Sequence, residues 1–274
     1  MLIPVADPDD PRVAPFRSLR ERDLATRAGG RPGAFVAEGE VVLRLLLSER
    51  SRFRPLSILI AENRVGPLAS LLPDGARGAP VHVAPPGVLE RIAGFPIHRG
   101  VLALGERPPP PEPGALLPAR GPSLVLGLIG LANHDNVGGA FRNAAAFGAD
   151  AVLLDGASCD PLYRKAIRVS VGAALTVPFA RGGAAEGLVD LLLRAGYTPF
   201  ALSPAGSARL GEVAWPPRTA LLVGAEGAGL PPPLIARLRS VRIEMAPGFD
   251  SLNVATAAGI ALHAAATSRG MEPH

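Results

Sequence analysis

A chain of 274 residues with 48% hydrophobic content holds enough apolar material for two domain cores. Cys159 is its only cysteine, which excludes an internal disulfide and fits a reducing compartment. Met1 to Asp10 lacks the cationic and long apolar segments of a signal peptide, and the one long uncharged run, at the C-terminus, is broken by Asn253, Thr256 and His263. A soluble, cytoplasmic protein with no membrane partner is therefore expected. The net charge of +4 suits a polyanion such as RNA. Yet Lys165 is the only lysine, and a GC-rich genome produces the same arginine bias, so charge alone leaves the partner open.

In chain order, Phe35–Ala37 reads as a strand, Glu40–Leu47 as a helix, Leu56–Ala61 and Val81–Val83 as strands, Val88–Ile92 as a helix and Gly100–Leu104 as a strand. Residues 1–105 thus form a small α/β domain. Residues 106–122 are rich in proline, which resists both helix and central strand, and read as a stiff linker. From 123 to 274, strand-like runs fall at Leu124–Ile129, Ala151–Leu154, Thr176–Phe179, Thr198–Leu202, Ala220–Val223 and Val241–Met245. Helical stretches lie near Val137–Phe147, Leu162–Val169, Glu186–Ala195 and Leu234–Arg239. Apolar strands separated by helices imply a mostly parallel sheet covered on both faces.

Three segments of this second part carry chemistry. Gly130–Gly148 holds Asn136 at a helix start and Arg142 within the helix, with Gly138, Ala145 and Ala146 on the arginine's face by spacing. Leu221–Leu230 runs an apolar strand into Gly224, Gly227 and Gly229, with Glu226 among them, and its spacing is not that of a dinucleotide loop. Ile243–His263 passes through Pro/Gly turn chemistry into Ser251-Leu252-Asn253, which opens a helix of small and aliphatic residues. Such a helix start offers free N–H groups to an anionic ligand, although Ser and Asn are equally ordinary caps.

Together these segments resemble the three motifs of the SpoU/TrmH family of RNA 2′-O-ribose methyltransferases, within the SPOUT class. The first is carried by Asn136, Gly138, Arg142, Ala144, Phe147 and Gly148, and the second by Gly224, Glu226 and Gly229. The third is carried by Ser251, Leu252, Asn253, Val254, Ala257 and Gly259. One departure is His134, where many relatives have proline. The resemblance implies a trefoil-knotted, mostly parallel sheet, S-adenosylmethionine as cofactor, RNA (rRNA or tRNA) as substrate, and a homodimer through the knotted domain. It assigns Arg142, Asn136, Glu226, Ser251 and Asn253 to catalysis, and Gly224, Glu226, Gly227, Ile243, Met245 and Leu252 to the cofactor. Arg142 is expected to orient phosphate and ribose and to stabilise the developing alkoxide. The stretch from Arg17 to Glu40 more loosely resembles the start of the family's substrate-binding domain, an L30e-type RNA-binding module. The alternative is a relative that binds RNA without catalysis.

His82, His98, His134 and His263 are scattered, with no zinc-like spacing, so no metal site is expected. The basic run Asp160–Arg168 reads equally as an RNA contact or as a solvated helix face.

Overall fold

The computed structural model describes residues 2–17, 33–72, 76–94, 97, 100–249 and 251–268. Residues 18–32, part of the looser resemblance, and His98 lie outside them. The chain forms two compact units, Met1–Pro109 with Leu162–Thr176, and Pro110–Pro161 with Val177–His274.

In the first unit, β1 (Leu2–Pro4), β2 (Gly33–Glu38), β3 (Pro55–Ala61), β4 (Val81–Ala84) and β5 (Val101–Arg107) form a sheet of order β1-β4-β3-β5-β2. The first three in that order are parallel; β5 runs antiparallel to both β3 and β2. Helix α1 (Glu40–Leu47) buries Val42, Leu43, Leu46 and Leu47 at helical spacing, and Glu40 pairs with Arg44 one turn on. Helix α2 (Pro86–Ala93) starts on a proline and buries Val88, Leu89 and Ile92 against Val36, Leu59 and Leu102 of the sheet. Val13 and Phe16, from a short 3-10 turn, complete that core. Helix α3 (His134–Ala146) belongs to the second unit, but helix α4 (Arg164–Val169) packs on β2 in this one. There the buried Glu38 carboxylate stands 3.5 Å from Arg168 and 3.9 Å from Arg164. The basic run thus spends two of its cations on an internal acid.

The second unit is a seven-stranded, wholly parallel sheet of order β10-β12-β9-β11-β6-β7-β8. Its strands are β6 (Ser123–Leu128), β7 (Ala151–Leu154), β8 (Phe179–Arg181), β9 (Thr198–Leu202), β10 (Ala208–Arg209), β11 (Arg218–Val223) and β12 (Arg239–Arg242). Its helices are α3 (His134–Ala146), α5 (Ala185–Arg194), α6 (Pro232–Ile235) and α7 (Val254–Thr267). On one face Val125, Leu153, Ala220 and Leu222 pack against Leu188, Val189 and Leu192 of α5 and Leu234 of α6. The alternate residues Leu124, Leu126 and Leu221 are equally buried, as expected when helices cover both faces of a parallel sheet. Helices α3 and α7 pack on each other, and α7 also contacts β11 and β6.

The α/β class, the parallel sheet and nearly every element were expected, but some boundaries move. The strand expected at Val241–Met245 is β12 at Arg239–Arg242, and the helix expected at Leu234–Arg239 ends at Ile235. The reason is tertiary: residues 239–241 pair with Phe200–Leu202 of β9, which frees Ile243 and Met245 to line a cavity. Strand β8 starts at Phe179 rather than Thr176, because residues 173–175 form a 3-10 turn. The proline-rich stretch carries contacts of its own: Leu116 and Leu117 pack on the second unit's core, and Arg218 donates to the Pro118 (2.9 Å) and Gly121 (3.2 Å) carbonyls. Among the described residues no helix is long and apolar enough to cross a membrane.

Candidate active site

The C-terminal ends of β9, β11 and β12 open onto a cavity of about 640 Å³, the place where parallel α/β sheets hold ligands. Its first wall is the loop after β11. A Cβ on Gly224 would lie 2.1 Å from the Gly229 carbonyl carbon and 2.2 Å from the Leu230 nitrogen, so only glycine lets the loop fold back on itself. Gly227 and Gly229, at φ 77° and 68°, make the left-handed turns that close it. The second wall is the chain leaving β12, through Ile243 and Met245, and returning to α7 through Ser251, Leu252 and Asn253. Leu202, Ser203 and Pro204, at the end of β9, form the third.

All the residues assigned above to a cofactor line this cavity: Gly224, Glu226, Gly227, Ile243, Met245 and Leu252. Ser251 and Asn253 join them. At its rim runs a chain of side-chain hydrogen bonds. The Asn253 amide donates to Asn136 Oδ1 (2.8 Å), and the Asn136 amide donates to the Glu226 carboxylate. Asn136 is 4% exposed, and its amide has a partner at each end, so its orientation is fixed by both. Asn253 also caps α7, its Oδ1 accepting from Ala255 N (3.0 Å) and Thr256 N (3.2 Å). Residues 90 and 117 positions apart are thereby joined in one polar cluster.

The cluster is aligned by the crossing of α3 and α7. A Cβ on Gly139 would meet the Ala255 Cβ at 2.8 Å, and one on Gly259 would meet the Asn143 amide at 2.8 Å. Asn143 Nδ2 donates to the Ala255 carbonyl (2.6 Å) and locks the pair. Arg142 does not line the cavity. It is exposed, in an open groove with Gly139, Asn143, Phe147, Ala255, Thr256, Gly259, Ile260 and His263, and among the described residues it has no hydrogen-bond or ion-pair partner. The helix keeps Gly138, Ala145 and Ala146 within one turn of Arg142, with the two alanines exposed beside it, while Gly138 is buried and Gly139 is the residue at the helix crossing.

Sequence reasoning missed Asn143, the crossing's lock, and Ser203-Pro204. The second had a usable signal, because it directly follows a strand of the parallel sheet. Cys159 is half-buried and its thiol is pushed up to about 11, chiefly by burial, so it stays protonated at neutral pH. Among the described residues no three His, Cys, Asp or Glu side chains converge as a metal site.

Comparison with known proteins identifies the family and the fold. Residues 123–263 match the SpoU rRNA methylase family. An uncharacterized tRNA/rRNA methyltransferase of Mycobacterium tuberculosis is 42% identical over 268 residues, covering 94% of this chain and 90% of that protein. The AdoMet-bound rRNA methyltransferase of Sinorhizobium meliloti superposes with a TM-score of 0.78 at 25% identity, over 99% of each chain. An RNA 2′-O ribose methyltransferase of known structure shares the fold, with a TM-score of 0.72 at 22% identity over 99% and 100% of the two chains. The family match covers more than half of the sequence and includes all three motifs, so this chain belongs to the SpoU rRNA methylase family of RNA methyltransferases.

Proposed function

We propose that this chain binds S-adenosylmethionine in the 640 Å³ cavity and transfers its methyl group to a ribose 2′-hydroxyl of structured RNA, rRNA rather than tRNA. The observation that carries the reading is the rim: Glu226, Asn136 and Asn253 come from three separate motifs and form one hydrogen-bonded chain beside that cavity. The cavity suits the cofactor in kind, with apolar side chains (Ile243, Met245, Leu252) for an adenine and backbone edges of the glycine loop for polar atoms. When bound, the cofactor would supply a sulfonium methyl, whose carbon bonds the ribose oxygen as the C–S pair returns to sulfur and the hydroxyl proton passes to water.

The protein's part is positioning and charge. Glu226 presents a carboxylate at the rim, held by the Asn136 amide, as an acceptor for a substrate hydroxyl. Asn253 ties that amide to the first turn of α7, so cofactor wall and acceptor side move as one body. Arg142 is assigned to the phosphate and ribose of the target.

Within one chain Arg142 lies on the groove between α3 and α7, away from the cavity. A homodimer on that face is therefore part of the reading, with the arginine of one copy serving the cavity of the other. The exposed apolar side chains support this: in the single chain Ile260 on α7 is 39% exposed, and Leu252 just before the helix is 40% exposed. Residues 1–105 are assigned to RNA binding, 106–122 to the link and 123–274 to methyl transfer. Ribose-methylation mapping of total RNA from cells with and without the gene tests the whole reading. Loss of one mark is expected; an unchanged map overturns it.

A further inference from the structure

On the far side of Glu226 from the cavity lies a second cleft, of about 450 Å³, lined by Gly130, Leu131, Ala132, Asn133, His134 and Asn136 together with Ala225 and Glu226. The two spaces share only Ala225 and Glu226, and the Glu226–Asn136–Asn253 chain is the partition between them. A methyl donor on one side of that partition can reach an acceptor only at its edge. Ala225 and Glu226, which line both spaces, mark that edge.

The floor of this cleft is braced to an unusual degree for a surface loop. Gly130 N donates to the Asp155 carboxylate (3.0 Å), and Leu131 N to Ser158 Oγ (3.0 Å). Cys159 N donates back to the Leu131 carbonyl (2.7 Å). Asp155 and Ser158 are 6% and 0% exposed, and the same Asp155 oxygen takes both the Ser158 amide (2.9 Å) and its hydroxyl (2.6 Å). Arg181 clamps the turn beneath, through the Ser158 (2.6 Å) and Gly156 (3.0 Å) carbonyls. One oxygen of a buried carboxylate thus holds the Gly130 amide of the floor together with the amide and hydroxyl of Ser158. The result is a braced floor, and His134 is the one residue with a ring among those that line the cleft. Flat imidazoles stack on unpaired bases and can also hydrogen-bond to their edges.

We infer that this cleft seats the nucleotide to be methylated, with its base against His134 and the Gly130–Asn133 floor and its ribose at Glu226. The inference rests on the methyl-transfer reading and adds to it the acceptor's place and a specificity residue.

Two variants test it, using purified full-length protein and RNA extracted from cells lacking the gene. Ala132 is exposed, so Ala132→Trp fills the cleft mouth without touching a core. It should fold and bind S-adenosylmethionine within about twofold of wild type, yet lose about a hundredfold or more in kcat/KM for RNA. His134→Ala should raise KM for RNA about tenfold with a smaller effect on kcat, and His134→Tyr should recover most of that loss. Wild-type transfer by Ala132→Trp would overturn the inference, as would a tenfold fall in cofactor affinity in either variant, which would make the cleft part of the cofactor site. Wild-type protein that binds the cofactor but methylates no RNA overturns the functional reading, and this inference falls with it.

Discussion

Asn253 donates to Asn136 across 2.8 Å while its own oxygen caps helix α7, so one side chain closes both the polar cluster at the cavity's rim and the helix that forms its wall. The two duties can be separated. Asn253→Asp keeps a good cap but replaces the donor facing Asn136 with a second anion beside Glu226. Its melting temperature should stay near wild type while methyl transfer falls at least tenfold. Asn253→Ala should lose both, with about 1 kcal/mol of stability gone through the missing cap. Equal activity in Asn253→Asp and wild type would show that only the cap matters.

Gly224 has no room for a side chain, since its Cβ would enter the Gly229–Leu230 backbone. Gly224→Ala must open the loop that walls the cavity, at a cost of about 1–3 kcal/mol. Calorimetry should show cofactor affinity lowered at least tenfold, with the rest of the unit still folded. Unchanged affinity would place the cofactor elsewhere.

Much of this cavity's lining was legible beforehand because the motif residues are local strings: a strand, a glycine turn, a capped helix. Gly224, Glu226, Ile243, Leu252 and Asn253 share one cavity because the ends of β11 and β12 lie at the same edge of the parallel sheet. What the strings could not show is which face a helix turns inward. Spacing alone set Gly138 beside Arg142, whereas the helix crossing is decided by Gly139 against Ala255, from a segment more than a hundred residues away. Register was also hidden: β12 pairs two residues earlier than its apolar run implies, because Phe200–Leu202 select the partner. Short edge strands such as β10 left no periodic trace at all.

Arg142 is exposed and unpaired among the described residues, so truncating it removes no packing. Arg142→Ala should melt like wild type and bind cofactor normally, while methyl transfer falls about a hundredfold or more. Arg142→Lys should restore little of it, because an ammonium lacks the planar fork of donors. Full activity in Arg142→Ala would remove the arginine from the mechanism.

Acid should weaken the first unit through His82, which is 3% exposed on β4. Burial, and secondarily the Arg12 charge, lower its pKa below 6.5, with Asp10 opposing weakly. The folded state therefore refuses a proton that the unfolded chain accepts, so stability falls as pH drops through about 6.5 and below. Asp10, held at about 2 by hydrogen bonds from Arg12, adds a loss only as pH falls from near 3.8 towards 2. Thermal melts between about pH 8 and pH 5 should show a decline that His82→Leu flattens. An equal slope in the variant would assign the effect to other groups.

The most direct test of the account is where a labelled methyl group lands. The purified protein is incubated with S-adenosylmethionine carrying a tritiated methyl and with RNA from cells lacking the gene, and the RNA is then hydrolysed in alkali. A methylated 2′-oxygen cannot attack the neighbouring phosphate, so the account predicts label in alkali-resistant dinucleotides. Label released in mononucleotides would mean base methylation and would contradict the ribose assignment.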